Sequence, residues 1–171
     1  MFTTSGLPCR PAEKKSWPPP GKPSRERINK IETSFKAILL DSEMRVLLGT
    51  NPRGEWELLG GRAEAQDASP QETVRREVHE EAGLDIVVGS IVDTWYYDIA
   101  GEGRVAVTSY LAQPRGDVSF VLGDEHTDLA FFHSHELDNI NLPEGYRTSI
   151  RIGINKLQHS QGRPSTHDRG H

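Results

Sequence analysis

Apolar positions fall into short runs parted by turns, with helical spacing in two places. Residues 34–41 (SFKAILLD) and 44–49 (MRVLLG) predict two strands joined as a hairpin at Ser42-Glu43. Asn51-Pro52-Arg53-Gly54 predicts a turn, and Glu55 to Leu59 a short extended piece ended by Gly60-Gly61. Strands follow at 86–96, 104–112 and about 128–133, with a hairpin turn at Gly101-Glu102-Gly103. Val74, Val78 and Ala82 lie at i, i+4 and i+8, one stripe of a helix over 70–82. Ser69 suits its N-cap, Pro70 its first turn, Glu72 a capping box with Ser69, and Gly83 its stop. Tyr146, Ile150, Ile154 and Leu157 mark a second helix over 143–158, opened by Pro143. Strands interrupted by a central and a C-terminal helix imply a mixed sheet packed between helices.

Composition changes the picture at the ends. Of 171 residues only 35% are hydrophobic, so part of the chain lies outside the core. Residues 1–28, with Pro18-Pro19-Pro20 and Pro23, read as a flexible Pro-rich tail, and 160–171 as a polar one. A single domain is expected over 29–159. No run approaches the roughly 18 apolar residues of a membrane span, and no signal-peptide core is visible. The lone Cys9 makes no internal disulfide and fits a reducing compartment, so a cytoplasmic protein is expected. A net charge of −5 without a basic stripe argues against binding a nucleic acid duplex. It leaves a small phosphorylated ligand open, because a bound metal reverses the local sign. A homodimer is also left open.

The candidate chemistry sits on the first helix. Glu77, Glu80 and Glu81 stand at i, i+3 and i+4, so a helix crowds them together, away from the valine stripe. Like charges at these spacings weaken an isolated helix by roughly 0.2–0.5 kcal/mol per pair. Ion pairs such as Glu72 with Arg76 would make this an ordinary solvated face. A cation would offset the repulsion instead. All-oxygen ligands suit a hard ion such as Mg²⁺, which is readily shared with phosphates.

From Gly60 the chain reads Gly60-Gly61-Arg62-Ala63-Glu64, then Ser69-Pro70-Gln71-Glu72, then Arg76-Glu77-Val78-His79-Glu80-Glu81-Ala82-Gly83-Leu84. This resembles the Nudix box of the MutT-like hydrolases, G-x5-E-x7-R-E-U-x-E-E-x-G-U with U a bulky aliphatic. The second half matches at every specified position, and the resemblance covers roughly residues 30–158. The first half departs. Counting back from Arg76 puts Ala68 at the first glutamate, and counting forward from Gly61 puts Asp67 there. One extra residue near Ala68, with Asp67 in place of that glutamate, reconciles the two. Gln66 stands for a common glycine, and Leu59 for the usual proline before Gly-Gly.

The resemblance implies a Nudix-type α/β/α sandwich with a mixed central sheet. It implies a hydrolase that cleaves the pyrophosphate of a nucleoside diphosphate linked to another moiety, with Mg²⁺ or Mn²⁺ as cofactor. On the matching positions, Glu77, Glu80, Glu81 and the Gly61 carbonyl are the implied metal ligands. Arg76 holds a box carboxylate by an ion pair. Glu80, Glu81 and Glu125 are the candidates for the catalytic carboxylates. Glu125, in Asp124-Glu125-His126, is an extra ligand or base, or else a solvated loop acid. His126 assists or is structural. Arg53 contacts a phosphate or merely shapes its turn. Of Trp95, Tyr96 and Tyr97, alternation sends neighbours to opposite faces, and Tyr97 is the candidate for stacking on a base. The rival reading is a Nudix fold that binds a nucleotide without cleaving it, as a sensor. No proline marks the ADP-ribose subgroup, and the motifs linked to coenzyme A or NADH cleavage are absent, so the substrate is not named.

Overall fold

A computed structural model describes residues 31–99, 103–116, 119–123 and 125–161. The segment predicted as an N-terminal tail lies outside the described residues, as does the C-terminal tail after Gln161. The elements are β1 (Glu32–Leu39), β2 (Val46–Thr50), β3 (Trp56–Leu58), β4 (Gly60–Arg62), α1 (Pro70–Ala82), β5 (Ile86–Ile99), β6 (Gly103–Pro114), β7 (Leu129–Phe132) and α2 (Glu144–Gln161). A 3₁₀ turn at Leu137–Asn139 precedes α2.

Two sheets carry the fold. The larger runs β4-β1-β6-β5, and the smaller runs β3-β2-β7. The larger sheet is mixed: β1 is parallel to β6, while the β1–β4 and β5–β6 pairs are antiparallel. The predicted hairpin of residues 34–41 with 44–49 is not formed. Those strands join different sheets and share only an isolated bridge, Leu40 to Val46. The reason is burial. Ala37, Ile38, Leu39 and Leu40 are all buried, so both faces of this strand end need cover, as expected for a strand inside a sheet clad on both sides. Gly60-Gly61 does not end the preceding strand either; it belongs to β4, which pairs with β1.

The two faces of β1 feed two core clusters. Ile38 packs with Val107, Tyr146, Ile150 and Ile154, under α2. Ala37 and Leu39 pack with Val74, Val78, Ala82 and Tyr110, under α1. The helices thus clad opposite faces, and the α/β/α layering expected from the pattern is present.

The limits of α1 agree with its punctuation. The Ser69 side chain accepts from Glu72 N at 3.3 Å, and Gly83 takes a left-handed conformation with its N–H on His79 O at 2.8 Å. The capping box closes one residue early, because the Glu72 carboxylate accepts from Ala68 N at 2.8 Å rather than from Ser69 N. At the far end, α2 runs three residues past its predicted stop.

Candidate active site

Helical geometry sorts the three glutamates. Successive residues turn by about 100°, so Glu80 and Glu81 cannot share an outlook, whereas Glu77 and Glu81 nearly can. Glu77 and Glu81 are 8% and 3% exposed, alongside the valine stripe; Glu80 faces solvent. The expectation that all three project away from the core is therefore corrected. Two point inward, against β4.

The Gly-Gly pair makes that burial feasible. A Cβ on Gly61 would lie 2.6 Å from the Glu77 carboxyl carbon, so the carboxylate rests where a side chain would be. A Cβ on Gly60 would lie 2.2 Å from Phe35 O, at a φ of 126° that L side chains avoid. Gly60 N donates to Glu81 Oε2 at 2.8 Å. Its carbonyl accepts from the buried ammonium of Lys36.

Arg76 organises the outer side. It donates to both Asp67 oxygens, at 3.1 and 2.9 Å, to Glu80 at 3.1 Å and to Arg62 O at 3.1 Å, and it lies 3.0 Å from Glu77. Asp67 also accepts from Glu64 N at 2.9 Å and Thr73 Oγ1 at 3.0 Å. The irregular stretch 62–68 thus brings Asp67 to the arginine as the carboxylate it clamps. The guanidinium and the Glu64 N–H hold the Asp67 carboxyl far below the usual range, and Asp67 in turn raises Arg76.

Glu125 arrives from the loop before β7. One carboxylate oxygen each from Glu77, Glu81 and Glu125 lie within 4.8 Å of one another. Burial raises the Glu77 pKa; Arg76 opposes this, and the nearby Glu81 and Glu125 add to it. A buried acid with one cation and two acids beside it fits a hard divalent ion, whose oxygen-ligand preference matches this donor set. Glu80, paired with Arg76, stands outside the trio. Glu125 makes no hydrogen bond or ion pair among the described residues.

A cleft of about 480 Å³ opens beside the trio, lined by Lys36, Arg53, Glu57, Gly61, Glu77, Tyr97 and Glu125 among others. Arg53 Nε donates to Glu55 at 3.0 Å, and Tyr97 OH donates to the same carboxylate at 3.2 Å. Burial and then Glu55 raise the Tyr97 hydroxyl. Tyr97 packs with Trp95 and the buried Tyr146, at centroid distances of 5.6 and 6.3 Å. Tyr96 turns outward and is 61% exposed. Sequence reasoning missed Lys36 and Glu57, which approach to 3.9 Å in the cleft. Alternation along β1 was the available signal: Ser34 and Lys36 share the face of Ile38. His126 is buried, with Nε2 3.2 Å from Glu81 Oε1. Burial lowers its pKa, the Glu81 carboxylate raises it, and the net direction is upward.

The family model described as the NUDIX domain matches residues 30–151. The chain belongs to the NUDIX family. Solved structures share its fold. A NUDIX-family hydrolase from Clostridium perfringens is 18% identical, with a TM-score of 0.63 over 74% of this chain and 97% of its own. A C. elegans Ap4A hydrolase is 16% identical, with a TM-score of 0.64 over 75% and 99%. A Streptococcus suis ADP-ribose pyrophosphatase is 25% identical, with a TM-score of 0.59 over 74% and 92%. No curated protein sequence matches the chain. Among the described residues of this NUDIX protein, no helix is long and apolar enough to cross a membrane.

Proposed function

We propose that this NUDIX protein hydrolyses the pyrophosphate bond of a nucleoside diphosphate linked to another moiety. One observation carries the reading: three carboxylates from two separate segments converge within 4.8 Å beside an open cleft. Glu77, Glu81 and Glu125 would hold Mg²⁺ or Mn²⁺, with the Gly61 carbonyl and Glu80 as further ligands from the rim. Such an ion supplies charge stabilisation to the phosphoryl oxygens and acidifies water.

The chain's own groups do the rest. Arg76 keeps α1 and the 62–68 loop in register, so the inward carboxylates stay aimed. Arg53 and Lys36 offer positive charge to a phosphate in the cleft, and Tyr97 a face for a base or sugar. Water oxygen bonds to one phosphorus as the bridging P–O bond breaks, and the water's proton needs a carboxylate. Glu81 is committed to Gly60 N, and Glu80 to Arg76. Glu125 would give one oxygen to the ion and makes no hydrogen bond or ion pair among the described residues, so its second oxygen is open to the water, and we assign the proton to it.

A Mg²⁺-dependent hydrolysis screen tests this reading. It covers NTPs, dNTPs, ADP-ribose, dinucleoside polyphosphates and nucleotide sugars, with products resolved by chromatography. Turnover of at least one compound, abolished by EDTA, is expected. Tight binding of one compound with no turnover of any would replace the hydrolase with a nucleotide sensor.

A further inference from the structure

His126 has no part in the chemistry above, yet it lies against the site's most buried carboxylate. We propose that His126 is a positioning residue that fixes Glu81 and seats the loop delivering Glu125; the idea rests on the metal-site reading.

Three observations support it. The side chains of His126 and Glu81 are 2% and 3% exposed, with Nε2 3.2 Å from Oε1. Nε2 is close to that oxygen but out of line with it, and neither ring nitrogen has another partner among the described residues. A side chain kept only for packing would be apolar, because buried polar atoms need partners. Second, the ring fills a notch that exists because residue 49 is glycine. A Cβ there would lie 2.7 Å from the imidazole. Third, the loop is tied down on both sides of Glu125. Val121 N donates to Ala82 O at 2.9 Å and Gly123 N to Glu81 O at 2.8 Å, while Thr127 N donates to Thr50 O at 3.0 Å. Gly123 passes so close to α1 that a Cβ would meet Glu80 O at 2.5 Å. His126 therefore joins the helix carboxylate, the loop carboxylate and β2 in one packed unit.

The test is Mn²⁺ binding, followed by the electron paramagnetic resonance signal of free ion, with urea midpoints on the same full-length proteins. In H126L the ring's volume is kept and its nitrogens are lost; Mn²⁺ affinity is expected to fall about 10–100-fold, the usual cost of losing a partner of a metal ligand. H126Q, which restores an N–H, is expected to recover most of that loss. G49A crowds the ring without touching a carboxylate and is expected to weaken binding too, which keeps the proposal testable if H126L fails to fold. Wild-type affinity in H126L or G49A overturns the proposal, as does a loss in H126Q equal to that in H126L. A wild-type protein that binds no Mn²⁺ removes the metal site itself. Binding by wild type that H126L leaves unchanged removes only the role of His126.

Discussion

Glu80 and Glu81 are adjacent in sequence and live in opposite surroundings. Glu81 is buried, held by Gly60 N and faced by His126. Glu80 stands on the rim, 57% exposed at its side chain and paired with Arg76. The same split divides the wider site. The inner side is built by close approach, with glycines giving way to carboxylates and strands fixing the backbone. The outer side is built by charge, with Arg76 gathering Asp67, Glu77 and Glu80. Packing sets geometry to a few tenths of an ångström, since a filled interior has no slack. The pair of Arg76 with the exposed Glu80 leaves that carboxylate room to turn and contributes little stability.

This contrast sets the order of expected effects. Glu81→Gln comes first. It keeps the shape and removes the charge of a carboxylate that would hold the ion, so kcat is expected to fall by about 10²–10⁴-fold, on the order of the several kcal/mol that a bound ion supplies. Circular dichroism checks that the fold is kept. Glu80→Gln is next, with a smaller loss of about tenfold on the same scale, weaker Mn²⁺ binding and an unchanged urea midpoint. Equal losses in the two variants, measured side by side by steady-state kinetics, would show that burial does not rank them.

Asp67→Asn gives the smallest effect on turnover and a distinct one on stability. The folded pKa of Asp67 is depressed, so its contribution is present above the unfolded value, about 3.9, and is lost as pH falls through the folded value. Wild type should therefore exceed D67N in urea midpoint at pH 7, with the gap narrowing below about pH 4. A gap that stays constant from pH 7 to pH 3 would mean that Arg76 is not clamped by this charge.

Local signals were legible where they act locally. Ser69, Pro70 and Gly83 bound α1 as their chemistry requires, and Val74, Val78 and Ala82 lie on its buried stripe. The turn at Ser42-Glu43 was legible as a turn but not as the point where the chain passes from one sheet to another. Strand pairing depends on which faces are covered, and α1 and α2 cover both faces of β1 from far along the chain. Gly60-Gly61 read as a breaker because glycine lacks a side chain to pack; that lack is what lets β4 run beside Glu77.

By itself, the sequence determined the acidic helix, its limits and the NUDIX signature, since residue type and spacing along one helix suffice for these. Only the tertiary structure decided which glutamates turn inward, which carboxylate Arg76 clamps and how Glu125 and His126 reach them. Each of those depends on contacts between segments far apart in sequence, where a neighbour's missing Cβ or a loop's anchor points set the distance.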